Sequence, residues 1–198
     1  MSCLIESNCF FLKSALSKEH LPKDDKGEFV FWGRSNVGKS SLLNFITKSK
    51  IAKTSKTPGR TRSLNFFEID KKIRFVDFPG YGFARGSKKE ISDWNHLILH
   101  YLSTRKSLYS IFLLIDSRHG LKKIDLEAIN LIESFGIHFF LVLTKIDKID
   151  KNKIKKCYDE IKSFIKYKAG GDNQILMTSI QKKYGIKEIK KIILEKLK

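Results

Sequence analysis

Gly33-Arg34-Ser35-Asn36-Val37-Gly38-Lys39-Ser40 decides the fold of this chain. It follows the apolar run Phe29-Val30-Phe31-Trp32 and precedes Ser41-Leu42-Leu43-Asn44-Phe45-Ile46. The pattern G-x-x-x-x-G-K-[ST] between a strand and a helix is a phosphate-binding loop. Its glycines let the backbone curl until successive N–H groups face a polyphosphate. Lys39 neutralises the outer phosphates, the Ser40 hydroxyl can ligate Mg²⁺, and the helix N-terminus adds partial positive charge. All eight residues, Gly33, Arg34, Ser35, Asn36, Val37, Gly38, Lys39 and Ser40, are read as nucleotide-binding.

Working outward, element types alternate. Apolar runs at Phe29–Trp32, Ile111–Asp116, His138–Leu143 and Ile175–Met177 read as buried strands. Helical spacing marks Ser40–Thr47, Ser92–Leu102, Ile124–Ile132, the Lys-rich stretch from Ile154 to Ile165, and Ile186–Leu197. Leu64–Ile69 and Lys72–Asp77 flank Asp70-Lys71 as a hairpin, and residues 8–12 suggest an extra edge strand. This alternation predicts an α/β fold with a mainly parallel sheet. The expected architecture is a three-layer P-loop NTPase with six strands plus a short N-terminal element. The 198 residues form one domain, with residues 1–26 an extension packed on it.

Three further motifs follow in the order a nucleotide switch requires. Asp77-Phe78-Pro79-Gly80 ends a strand; a carboxylate there can hold Mg²⁺ through water, and the Gly80 amide can meet a γ-phosphate. Thr144-Lys145-Ile146-Asp147 follows the strand Leu141-Val142-Leu143. The Asp147 carboxylate can accept from guanine N1–H and the 2-amine. Adenine lacks both donors and would leave the carboxylate unpaired. The Lys145 stem can cover the base plane. Thr178-Ser179-Ile180 ends the last strand and offers amides for guanine O6. Between the first helix and the hairpin, residues 49–62 form a polar, basic loop around Pro58-Gly59. At its end Gly59-Arg60-Thr61-Arg62, with the following Ser63, is read as reaching the nucleotide. Thr61 is the second hydroxyl ligand for Mg²⁺, engaged only when a γ-phosphate orders the loop.

Composition supplies the second signal. The net charge is +18, and residues 145–198 hold 16 Lys against 7 acids. Such an excess suits a polyanion, nucleic acid above all. No apolar run approaches the ~18 residues of a bilayer span. The N-terminus lacks a signal-peptide pattern. Cys3, Cys9 and Cys157 carry no metal or disulfide spacing, and a reducing cytoplasm is expected.

With these residues in hand, the chain resembles the EngB/YihA/YsxC-type ribosome-biogenesis GTP-binding proteins, within the TrmE-Era-EngA-EngB-septin-like GTPases. The resemblance rests on Gly33–Ser41, Lys56-Thr57-Pro58-Gly59-Arg60-Thr61, Asn65-Phe66-Phe67, Asp77–Gly82 and Thr144–Asp147. It implies a Ras-like GTPase domain, Mg²⁺ on Ser40 and Thr61, guanine contacts from Thr144, Lys145 and Asp147, and a role in assembling the large ribosomal subunit. Partners are then GTP or GDP and that subunit or its rRNA, for a cytoplasmic monomer. Arg62 and Ser63 depart from the family, which commonly has Gln and an apolar residue there. The alternative is a GTPase of the same fold acting at a membrane or division septum; the lack of a strongly amphipathic anchor or lipidation signal stands against it.

Many GTPases place Gln directly after D-x-x-G to orient the attacking water. Here that position is Tyr81, which predicts slow intrinsic hydrolysis. Asn36 stands where related GTPases coordinate K⁺, so K⁺ is a candidate to join Lys39 and Thr61 in catalysis.

Overall fold

The computed structural model describes residues 8–52, 63–82, 88–166 and 174–196. A seven-stranded sheet forms its centre. Strand β1 is Cys9–Ala15, β2 Gly27–Gly33, β3 Leu64–Ile69, β4 Ile73–Asp77, β5 Leu108–Asp116, β6 Phe139–Thr144 and β7 Leu176–Met177. Their order across the sheet is β1-β3-β4-β2-β5-β6-β7. Strands β4, β2, β5, β6 and β7 run parallel, while β3 is antiparallel to β4 and to β1. The sheet has seven strands where the sequence suggested six. The N-terminal segment pairs with β3 from Cys9 to Ala15, with one bulge between Phe11 and Lys13, and so joins the sheet rather than lying on it.

Period-two alternation sorts side chains between two cores. Val30, Trp32, Ile111, Leu113, Leu141 and Leu143 face one side. There they meet α2 (Lys88–Thr104), α3 (Lys123–Ser134) and α4 (Lys151–Ile165). Phe29, Phe31, Phe112, Leu114, Phe140 and Val142 face the other, against α1 (Lys39–Thr47) and α5 (Ile186–Glu195). On that side the rings of Phe29, Phe31 and Phe140 each stack on Phe112, with Phe31–Phe112 centroids 5.1 Å apart. Both faces of the central strands are covered, which is why they read as unbroken apolar runs rather than alternating ones.

Helix α2 starts four residues before the expected Ser92, at Lys88. The β3–β4 turn places Asp70 and Lys71 in the left-handed region, φ 50° and 58°. Among the described residues no helix is long and apolar enough to cross a membrane. The phosphate loop, Asp77–Gly80, Thr144–Asp147 and Thr178–Ile180 lie at or just beyond the C-terminal ends of the parallel strands β2, β4, β6 and β7, where open α/β sheets bind ligands.

Candidate functional site

The phosphate loop leaves β2 at Gly33 and enters α1 at Lys39. Gly38 has φ +113°, and a Cβ there would meet only the Lys145 side chain, at 3.9 Å. The loop is therefore an open cradle with its conformation fixed by glycine. Asn36 is left-handed as well, φ 61°, a state that Asn tolerates better than most residues.

Beside the cradle, Asp77 ends β4 in register with Phe31 of β2. The Ser40 hydroxyl lies 3.3 Å from Asp77 Oδ2, while Asp77 Oδ1 is buried with no hydrogen bond. Burial pushes the Asp77 carboxyl up, against Lys39 and Ser40. Burial likewise pushes the Lys39 ammonium down, against Asp77. A buried oxygen without a donor, next to a hydroxyl and an unstable charge, has the donor chemistry for a hard cation and its waters.

Of the residues after Asp77, Gly80 and Tyr81 present their backbone to the phosphate loop. Phe78 is wholly buried in the core, and the Pro79 carbonyl accepts from the Trp32 indole at 3.1 Å. Expected as nucleotide contacts, Phe78 and Pro79 instead fasten this loop to β2. Gly80 packs so closely on Ser35 that a Cβ would sit 2.8 Å from its backbone.

Tyr81 is turned inward. Its phenol donates to Asp125 Oδ1 at 2.8 Å, and its carbonyl accepts from the Ser35 amide at 3.3 Å. Asp125 also accepts from the Lys122 amide at the start of α3, at 2.8 Å, and lies 3.2 Å from Arg34 Nε. Arg34 reaches on to the Gly120 carbonyl at 2.9 Å. Its guanidinium thus points away from the cradle, leaving only its backbone there. Burial, then the Asp125 charge, pushes the Tyr81 phenol up, so it stays a donor to that carboxylate.

The base-reading end lies across the loop. The Lys145 ammonium donates to the Asn36 carbonyl at 2.6 Å and to Asp116 Oδ2 at 2.8 Å, stretching its stem over the phosphate loop. The Thr144 hydroxyl donates to the Val37 carbonyl at 2.8 Å. That bond ties the base-reading loop to the phosphate loop. The Asp147 side chain is 6% exposed. Its Oδ1 accepts from the Ser179 hydroxyl at 2.7 Å, and its Oδ2 is buried without a hydrogen bond, the Lys148 ammonium standing 3.5 Å from it. The Ser179 bond holds the carboxyl below its ordinary range. An ionised carboxylate with one oxygen fixed and one open suits a pair of N–H donors in a plane.

The amides of Thr178 and Ser179, expected to meet a base oxygen, are already used by the carbonyls of Leu143 and Tyr184, at 2.7 and 3.1 Å. Of the three, that leaves Ile180. The Ile146 amide similarly donates to the Thr178 carbonyl. Gly59, Arg60, Thr61 and Arg62 lie outside the described residues. Ser63 is described, and its hydroxyl donates to Asn65 Oδ1 at 3.0 Å, which also accepts from Ser14 of β1 at 2.6 Å.

Sequence reasoning missed Asp116, Asp125 and the Ser179 side chain. Only position betrays them: Asp116 closes an apolar strand, Asp125 stands three residues into a helix, and Ser179 ends a strand.

The comparisons with known proteins agree with this geometry. The family described as 50S ribosome-binding GTPase matches residues 28–145, and the elongation factor Tu GTP-binding domain matches residues 104–198. A protein named probable GTP-binding protein EngB from Petrotoga mobilis is 46% identical over 183 residues, 92% of each chain. Its namesake from Aquifex aeolicus is 44% identical over 172 residues, 86% of this chain and 91% of its own. The crystal structure of a probable GTP-binding protein engB shares the fold, TM-score 0.68 at 24% identity over 86% of this chain and 98% of that one. Era in complex with MgGDPNP and nucleotides 1506–1542 of 16S ribosomal RNA matches at TM-score 0.69 and 27% identity, over 85% of this chain and 56% of that one. Identity of this order along most of the sequence, on a P-loop GTPase fold, means that the chain belongs to the EngB family of GTP-binding proteins and is a GTPase.

Proposed function

We propose that this GTPase is a nucleotide-gated switch acting in the cytoplasm, as a monomer, on assembly of the large ribosomal subunit. The observation that carries the switch is a pair of unfinished carboxylates, Asp77 beside Lys39 and Asp147 beside Ser179, at the two ends of one open cradle. Asp147 selects guanine, Lys145 covers the base plane, and the amides from Gly33 to Ser40 hold the phosphates. Ser40 and Asp77 would hold Mg²⁺, with Thr61 as the further ligand. When bound, that ion offsets charge on the β- and γ-phosphates.

Slow intrinsic turnover follows from Tyr81, whose phenol is committed to Asp125 instead of an attacking water. A partner or K⁺ near Asn36 would supply the missing stabilisation, worth about 10³–10⁵ in rate when an arginine finger does it. The ribosomal partner is supported by the net charge of +18, by the 50S-binding description of the matching family, and by the RNA in the Era complex. Co-sedimentation with purified large subunits, with a non-hydrolysable GTP analogue or with GDP, tests it. Binding with the analogue alone is the expected result. Equal binding in both states would reduce the contact to charge, and no binding in either would end the ribosomal reading.

A further inference from the structure

Helix α4 carries a feature that the nucleotide site does not use. Lys151, Ile154, Lys155 and Tyr158, with Met177 of β7, line a shallow groove of about 290 Å³ at the open edge of the sheet. Lys151 and Lys155 are exposed, and among the described residues neither has an ion-pair partner. Ile154, Tyr158 and Met177 are half-buried, so the floor is apolar and carries one aromatic ring. The Lys162 ammonium stands 5.8 Å from the Tyr158 ring centroid, a third cation on the same stripe. Residues 151, 155, 158 and 162 follow each other at three- and four-residue intervals, so the stripe runs down one side of the helix. Asp159 and Glu160 are the acids of this helix, exposed and outside the groove lining.

An apolar floor with a ring and a rim of unpaired cations is what an unpaired nucleic-acid strand meets best. Bases stack on the ring while phosphates pass the cations. A duplex offers phosphates but hides its base faces. We propose that this groove binds a single-stranded segment of ribosomal RNA, an inference that rests on the ribosomal partner proposed above and assigns it a surface. The groove adjoins β7, at the opposite sheet edge from Ser63, where the switch loop rejoins the sheet. Binding there adds an anchor to the nucleotide-gated contact and does not replace it.

The test is fluorescence polarisation of the full chain with a short, unstructured labelled RNA, a duplex of the same composition, and polyglutamate as competitor. Tyr158→Leu should weaken the single strand by roughly 5- to 150-fold with the salt slope unchanged. Tyr158→Phe, which keeps the ring, should restore it. Lys151→Gln with Lys155→Gln should lower the slope of log K against log salt by about 1.4. GTP binding should stay unchanged in all variants, which shows that each is folded. Equal affinity for duplex and single strand, or an unaffected Tyr158→Leu protein, overturns the proposal. Displacement by polyglutamate at equal charge overturns it in favour of an acidic protein partner.

The same variants are then sedimented with large subunits. Wild-type protein that binds the RNA but no subunit leaves the groove standing and removes the ribosomal reading. Variants that bind subunits as the wild type does remove the groove and leave the reading.

Discussion

The two ends of the central sheet bury carboxylates in opposite ways. At the N-terminal ends of β2, β4 and β5, Glu28 is fully buried and both oxygens are taken. Its Oε2 accepts from the Tyr101 hydroxyl at 2.6 Å and from Arg105 Nε at 2.8 Å. Its Oε1 accepts from Arg105 Nη2 at 2.5 Å and lies 3.5 Å from Arg74 Nη1. The same two arginines hold the N-terminal segment through the Pro22 and Lys23 carbonyls, and Arg74 pairs with Asp25. At the C-terminal ends, Asp77 and Asp147 each keep one buried oxygen with no hydrogen bond. More than nine in ten buried polar groups are paired, so two orphan carboxylate oxygens beside one cradle need a reason. The closed cluster fastens chain to chain, and the open one is completed by a ligand. Satisfaction, rather than burial or charge, separates a structural carboxylate from a functional one here.

Breaking the closed end should have the largest effect on stability. Glu28→Gln keeps the volume but leaves two nearly buried arginines short of a counter-charge. Removing one partner of a buried pair costs about 3–5 kcal/mol. For a domain of this size that is a fall in Tm of roughly 10 °C. GTP turnover, assayed well below the transition, should be unchanged. A loss of turnover matching the loss of stability would mean that the two ends are not separate.

The open end should answer in reverse. Asp77→Asn should lower kcat/KM for GTP about 10²- to 10³-fold. The ligand-free protein should melt no earlier than wild type, because burial already disfavours the charge that is removed. Asp147→Asn comes next. A charged hydrogen bond contributes about 1.5–3 kcal/mol, so GTP affinity should fall about tenfold to a hundredfold. Competition should show xanthosine triphosphate binding better than it does to wild type, since xanthine presents an acceptor where guanine has its amine. Unchanged GTP affinity would remove the base-reading role.

The open end is largely legible in the sequence and the closed end is not, and the boundary is physical. The phosphate loop is a local object: its glycines, Lys39 and Ser40 are contiguous, so spacing alone carries it. The central strands were plain because both faces are buried. Edge strand β1 was seen only in part, at residues 8–12. Its extent is set by pairing with β3, about fifty to sixty residues away, and its exposed Phe10 and Phe11 give no clean alternation. The Tyr81–Asp125–Arg34 contacts join three distant segments, and nothing local marks them. Thr144 and Ser179 show the same limit. Their hydroxyls meet Val37 and Asp147 only through the fold, and nothing local in the sequence marks either bond.

Asp116 sharpens the comparison with the smallest effect, because it is a closed carboxylate at the open end. Burial would raise it, yet Arg118 at 2.7 and 2.9 Å and Lys145 at 2.8 Å bring it down to about 2 from the ordinary 3.8. A carboxyl depressed in the folded state stabilises above its unfolded value, and that share is lost as pH falls through the folded one. The stability difference between wild type and Asp116→Asn should therefore be constant near neutrality. It should shrink below 3.8 and vanish near 2. Denaturant midpoints across that range measure it. The difference should stay below that of Glu28→Gln, since the Arg118 side chain is 43% exposed and its pairing is screened by water. GTP affinity should fall less than for Asp147→Asn, because the Asn36 carbonyl still holds Lys145. A difference that persists undiminished at pH 2 would show that Asp116 acts through shape alone. The closed pattern would then be insufficient to identify a structural charge.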